Sequence, residues 1–388
     1  MMRLPPRRAR VAHVVAVVGL LVGPLACYEG AEDDLALGGS EGLGSDDGDG
    51  DGDDDDSDDD DDDDDDSDDD DDDDASDDDD DDDSSDDDDD DDDASGDDDD
   101  DDDPQPSDGC GIAPGSFAHL ELVEASNNSY RGTTSQGIYE VDLHPGVVSD
   151  GNATAVPLFI GIHGCGENIE ASRYDLFRFM DTGGGDASRP FIAVYPKSQG
   201  ECWVNDPNSG DHAHLREMYA QLYADLCVDT TAVFIAGQSS GAYETNSLPI
   251  WPIFGDLPGQ VAGVAVNAGG LPWKAPLPSP SDVMSPPWFG IHSTFDPVVP
   301  VDQGRQARNF WIAANGCADS PQALSPLPDG CVAFDPGAPV NDQFHCECSV
   351  YADCDDSPVV WCEHKWDIHY MPDWGPAAMY EFFFSIYE

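Results

Sequence analysis

Between Asp46 and Asp103 the chain is almost nothing but aspartate, 46 of 58 residues. A run of this composition has no apolar area to bury and repels itself, so it does not fold. A folded body is therefore confined to residues 104–388, a length that suits one large α/β domain. The tract carries 46 of the 72 net negative charges and leaves about −26 for the rest of the chain. Fully stretched it would reach at most ~200 Å, which makes residues 28–103 a disordered linker and spacer. Asp47, Asp49, Asp51, Gly52 and Asp58 fit the spacing of a calcium loop. So do many registers of an aspartate run, and no helices flank this one, so loose binding of divalent cations is the expectation. No basic patch exists to neutralise phosphates, which excludes nucleic acid as a partner.

Residues 1–27 have the layout of an export signal. Arg3, Arg7, Arg8 and Arg10 precede the apolar run VAHVVAVVGLLVG, which is short for a membrane span. The run ends in GPLAC, similar to a bacterial lipobox, so Cys27 is a candidate for lipidation and membrane anchoring. An extracellular or cell-envelope location follows. The cysteine count agrees: of 11 cysteines, setting Cys27 aside leaves ten, enough for five disulfides in an oxidising compartment. Zinc is the competing reading for Cys346, Cys348, Cys354, Cys362 and His364. Their irregular spacing lacks the paired pattern of a zinc site, and disulfides are expected instead.

Beyond the linker, short apolar runs alternate with helical patterns. AHLELVE and GIYEVDLH read as strands joined by a polar turn around residues 127–134. VPLFIGIHG, PFIAVYP, TAVFIAG, VAGVAVNAG and PWFGIHS are apolar throughout, as strands buried on both faces of a parallel sheet must be. LREMYAQLYADLC, the residues after Ser239, GRQARNFWIAAN and PAAMYEFFFSIY have helical spacing. This alternation predicts a three-layer α/β domain with a mostly parallel central sheet flanked by helices. LPWKAPLPSPSDVMSPP marks a loop insertion.

The most specific chemistry lies in VFIAGQSSGAY. Gly237, Ser239 and Gly241 form G-x-S-x-G between a strand and a helix, the context of a nucleophile elbow. A serine needs a base, an orienting acid and donors for the developing oxyanion. Asp296, just past the strand PWFGIHS, is the candidate acid. His345, His364 and His369 follow it. His369 is favoured because it precedes the last helix, whereas the other two sit among cysteines. In the turn HGCG after VPLFIGI, the N–H of Cys165 is one candidate oxyanion donor, and that of Ser240 is the second. Trp203, Trp273, Trp288 and Trp374 are candidates to line an aromatic or polymeric substrate site.

The motifs GIHGCGEN, YPKSQGECW, GQSSGAY, HSTFDPVVP and WCEHKWDIHYMPDW occur in the order found in secreted feruloyl esterases and poly(3-hydroxybutyrate) depolymerases, which the chain resembles over about residues 115–388. The resemblance implies an α/β-hydrolase fold and a serine carboxylesterase acting on feruloyl or hydroxybutyrate-type polyester bonds, with no metal or organic cofactor. It also maps an oxyanion donor onto Cys165. Glu167 stands where such enzymes carry glutamine, Ala242 where they carry glycine, and residues 367–372 replace their G-G-H-x-W-P. A pairing of Cys165 with Cys202 is expected to fix this loop. The alternative class is an inactive surface binding protein on the same scaffold. Because a charged coil contributes no core, a chain starting at Pro104 is expected to fold and to keep its turnover on soluble esters, and loss of the folded state on deleting residues 28–103 would overturn this.

Overall fold

The computed structural model describes residues 104–252, 259–334, 344–354, 357–366 and 368–388. The export segment with Cys27, the aspartate linker and its cation-binding expectation lie outside the described residues. Among the described residues no helix is long and apolar enough to cross a membrane.

The chain enters through strands β1 (Leu120–Glu124), β2 (Ser129–Thr133) and β3 (Ile138–Leu143), which form an antiparallel meander. The stretch expected to be a turn is thus itself a strand. Its sequence SYRGT is polar, but Tyr130 is buried and Gly132 lies under the Tyr139 ring, where a β-carbon would come within 2.0 Å. After the short helix α1 (Pro145–Ser149) comes β4 (Val156–Ile162), whose seven residues are all buried. A π-helical turn (Ala171–Leu176) and α2 (Phe179–Gly183) lead to β5 (Ile192–Pro196), also wholly buried. Helix α3 (Gly210–Asp225) starts five residues before its apolar pattern does, because Ser209 caps it by accepting from the His212 N–H.

Strand β6 (Val228–Gln238), helix α4 (Ser240–Ile250), strand β7 (Val261–Asn267), strand β8 (Trp288–Ser293) and helix α5 (Val301–Ala314) follow. The two-residue strands β9 (Gln322–Ala323) and β10 (Val332–Ala333) precede β11 (His345–Tyr351), β12 (Val359–His364) and the last helix, α6 (Gly375–Tyr387). The sheet order is β1-β2-β3-β5-β4-β6-β7-β8-β12-β11-β10, with β9 on β11. From β5 to β12 every neighbouring pair is parallel, so six central strands end at one carboxyl edge. This is the α/β-hydrolase fold, a mostly parallel sheet flanked by helices.

Alternate residues of the central strands feed two cores. On one face Phe159 of β4 is ringed by Phe191, Phe234, Phe383 and Phe384, with centroids 5.1–5.6 Å away, under α6. On the other, Ile160, Ile235 and Val264 pack beneath α3, α4 and α5. There Asn246 of α4 accepts from the indoles of Trp288 and Trp311 at 2.8 and 3.0 Å. All ten cysteines from Cys110 to Cys362 are paired: 110–227, 165–202, 317–354, 331–346 and 348–362. Cys346, Cys348, Cys354 and Cys362 are therefore all in disulfides, and Cys165 pairs with Cys202 as expected.

Helix α4 is buried along its whole length, and Glu244 lies within it fully enclosed, its Oε1 3.2 Å from His212 Nε2. Burial raises this carboxyl well above the carboxylate range, with Asp211 adding to the rise, and pushes His212 down to about 4. The pair is therefore a neutral acid beside a neutral imidazole. The folded chain holds a proton here that the unfolded chain releases above about pH 4.5, so this group's contribution to stability declines as pH rises through that window. Glu244→Gln removes the slope. In urea unfolding, the stability of the variant minus that of the wild type should grow with pH, by about 1.4 kcal/mol per unit within the window.

Candidate active site

Five consecutive loops leave the carboxyl edge of the sheet after β4, β6, β7, β8 and β12. The register aligns them: Ile162 sits opposite Gly237, Gln238 opposite Asn267, and Ser293 opposite His364. Between β6 and α4 the chain reverses in one residue. Ser239 takes φ 54° and ψ −123°, a conformation that costs a non-glycine residue of the order of 1–3 kcal/mol. Its N–H donates to Asn267 O at 3.0 Å, and its carbonyl accepts from Ala242 N and Tyr243 N. Both motif glycines are required by close approach. A β-carbon on Gly237 would meet Gly241 O and Thr245 Oγ1 at 2.3 Å, and one on Gly241 would meet the carbonyls of Ile162 and His163 at 2.2 and 2.4 Å.

The structure brings Ser239, His369 and Asp296 together. His369 Nε2 is 2.7 Å from Ser239 Oγ, and His369 Nδ1 is 2.7 Å from Asp296 Oδ2. The Asp296 side chain is fully enclosed, whereas that of His369 is partly open to solvent. Asp296 Oδ1 accepts from the backbone N–H groups of Val298 and Val299 at 2.8 and 2.9 Å. His364, by contrast, is buried at the end of β12, where burial pushes it down to about 4. It does not take part in the cluster.

The two candidate oxyanion donors come from different loops. Ser240 opens α4, so its N–H belongs to the first turn, which has no intrahelical acceptor. In the β4 loop, Gly164 N donates to Glu167 Oε2 and Gly166 N donates to Glu201 O, both at 2.7 Å, which leaves the Cys165 N–H between two spent amides. The Cys165–Cys202 disulfide ties this loop to the one after β5.

Several contacts were invisible to sequence reasoning. Gln238 Nε2 donates to His369 O at 2.7 Å, tying the serine's strand to the histidine's loop. His292 lies with Nε2 2.9 Å from Val299 O and 3.6 Å from Asp296 Oδ2, bracing the acid's turn. Thr294 donates to His364 O through both N–H and Oγ1 at 2.8 Å, and Ser293 Oγ donates to Trp366 O. Gln238 sits inside the elbow motif, yet nothing local signals its partner 131 positions away.

The tryptophan expectation needs correcting. Trp203, Trp288 and Trp374 are each at most 3% exposed. Trp288 stacks on Trp361 and bonds Asn246, and Trp203 packs beside His163. These rings fill space that the sheet and helices enclose, so they offer no open platform. The apolar side chains that do face solvent next to the cluster are Phe295, Val298 and Tyr370, 46–56% exposed.

No protein-family model matches the chain. Feruloyl esterase C of Emericella nidulans is 26% identical over 221 residues, 53% of this chain and 74% of that protein. Probable feruloyl esterase C of Aspergillus niger is 27% identical, over 41% of this chain and 56% of its own length. Poly(3-hydroxyalkanoate) depolymerase C of Paucimonas lemoignei is 26% identical over 53% of this chain, which spans about half of that enzyme (46%). Among solved structures, the acetyl xylan esterase of Aspergillus awamori aligns at 16% identity with a TM-score of 0.45, over 68% of this chain and 96% of that one.

Since the elbow depends on absent β-carbons, Gly241→Ala should lower stability by about 2 kcal/mol or more in chemical denaturation, against well under 1 kcal/mol for Gly185→Ala, where a β-carbon meets nothing within 4 Å. With its α/β-hydrolase fold and its ordered motifs, the chain is similar to feruloyl esterases and poly(3-hydroxyalkanoate) depolymerases.

Proposed function

We propose that this protein is a serine carboxylesterase whose nucleophile is Ser239. The observation that carries the reading is the continuous relay from Ser239 Oγ through both nitrogens of His369 to Asp296, 2.7 Å at each step. His369 Nε2 accepts the serine proton as Oγ attacks the ester carbonyl carbon. Asp296 holds the ring in the tautomer that has Nδ1–H, and stabilises the imidazolium. The N–H groups of Cys165 and Ser240 bind the oxyanion. The imidazolium then gives its proton to the departing alcohol. Water, deprotonated by the same nitrogen, releases the acid and regenerates the serine.

The substrate class is a feruloyl ester or a hydroxybutyrate-type polyester. The names of the related enzymes support it, and so does the exposed apolar rim of Phe295, Val298 and Tyr370, which suits an acyl group or polymer with apolar bulk. Residues 104–388 carry the activity, residues 28–103 space it from the envelope, and export with lipidation at Cys27 delivers it outside the cytoplasm. Five disulfides in the described residues support an oxidising destination.

A fluorophosphonate probe is expected to label the wild type and not Ser239→Ala. His369→Ala should lower kcat by several orders of magnitude with substrate still bound, and His364→Ala should lose less than ~tenfold. Near-normal turnover in His369→Ala, with loss in His364→Ala, would reassign the base. An unlabelled wild type with no turnover on methyl ferulate, short p-nitrophenyl esters or polyhydroxybutyrate would favour a binding protein on this scaffold.

A further inference from the structure

Three side chains converge on Gly164. A β-carbon there would lie 2.6 Å from Gln238 Oε1, 2.9 Å from Glu167 Oε2 and 3.2 Å from Ser239 Cβ. Gln238 is 1% exposed. Its Nε2 is committed to the carbonyl of His369, which only accepts, so its Oε1 must face Gly164 and Glu167. That Oε1 is buried and has no partner among the described residues. A buried, unpaired acceptor is costly, and the polar side chain crowding the same glycine is Glu167.

We propose that Glu167 works as a carboxylic acid whose O–H donates to Gln238 Oε1, completing a tether from the oxyanion loop through Gln238 to the carbonyl of His369. The proposal rests on the reading of Ser239 and His369 given above. Each link is then satisfied: Gly164 N–H to Glu167 Oε2, Glu167 O–H to Gln238 Oε1, and Gln238 Nε2–H to His369 O. The surroundings favour the neutral acid. Burial raises the Glu167 carboxyl, and Asp175 on the π-helical turn adds to the rise, while the Gly164 N–H and His369 oppose it.

Loss of the Glu167 proton reverses the logic. A carboxylate only accepts, so it can pair with Gln238 only through the amide NH₂. Rotating the amide to do so sets Oε1 against the His369 carbonyl, two acceptors in contact, and the tether to the histidine loop breaks. In this tether Glu167 acts through Gln238 and not on the reacting atoms. It is a positioning residue, engaged at pH below its native pKa and disengaged as pH rises through it. The effect falls on kcat, since His369 is placed for proton transfer, with KM little changed.

The test compares full-length wild type, Glu167→Gln, Glu167→Ala and Ser239→Ala on a soluble short-chain ester, with kcat and KM measured from about pH 5 to about pH 9. Glutamine keeps an N–H donor toward Gln238 and an oxygen toward Gly164 at every pH. Glu167→Gln should therefore match the wild type at the acid end and exceed its kcat by about threefold or more at the alkaline end. Glu167→Ala should lose about tenfold in kcat at the acid end and converge on the wild type at the alkaline end, with KM within about twofold. Superimposable kcat profiles for wild type and Glu167→Gln, with Ser239→Ala dead, would overturn the tether and leave the esterase reading standing. Full activity in Ser239→Ala would remove that reading and the tether with it. Should Glu167→Ala fail to fold, the Glu167→Gln profile alone decides.

Discussion

The carbonyl oxygens of Ile162 and His163, at the end of β4, lie so close to Gly241 that no β-carbon fits between them. This backbone contact lets helix α4 begin directly above the carboxyl edge of the sheet. Because it begins there, the chain must turn from strand to helix within Ser239 alone, in a backbone conformation that serine does not favour. The strain is offset by the burial of every residue from Ser240 to Ile250. The same geometry holds the Ser240 N–H beside the serine, so the proposed nucleophile and one proposed oxyanion donor come from a single packing constraint.

The remaining site residues are arranged around that fixed point unevenly. Asp296 and His369 leave neighbouring strands, β8 and β12, whose ends are tied by the Thr294 and Ser293 bonds to His364 and Trp366. Acid and imidazole therefore move as one unit. Ser239 belongs to β6, with β7 lying between it and β8. The pair has to be brought across that gap, and besides the Ser239–His369 contact the bond from Gln238 Nε2 to His369 O is a direct side-chain link that spans it. Gln238 precedes the serine, so whatever positions the end of β6 also positions the His369 loop.

Much of the fold was legible because burial on both faces removes polar residues from a strand. VPLFIGI, IAVYP and WFGIHS announce themselves in this way, and each became a central strand. The strand SYRGT did not. It is a member of an antiparallel meander near the sheet edge, half polar, and its pairing depends on partners at Tyr139 and Leu122 rather than on its own composition. The order serine, aspartate, histidine along the chain pointed to the residues that the structure brings together. Gln238 and His292 escaped notice, and Glu167 showed only as a replacement for glutamine, because their contacts are single ones made by the tertiary fold. The tryptophans misled for the opposite reason: indoles serve cores as readily as surfaces, and only burial distinguishes the two.

The histidine's loop has a weak side. It leaves β12, whose outer neighbour β11 is flanked only by the two-residue strands β9 and β10. Strands this short bury little, and both are exposed. Hydrophobic packing cannot hold such an edge, and covalent bonds take its place. Cys348 and Cys362 join β11 to β12 at directly opposed positions, two residues before His364. Cys331–Cys346 holds β10 to β11, and Cys317–Cys354 ties the chain leaving α5 to the end of β11. Three of the five bridges thus lie within residues 317–362, the part of the described sheet with the least core. The serine's own strand, buried on both faces, has no cysteine within its bounds, and the bridge beside it, Cys110–Cys227, lies at the end far from Ser239. Those three disulfides accordingly secure the strand from which His369 is hung.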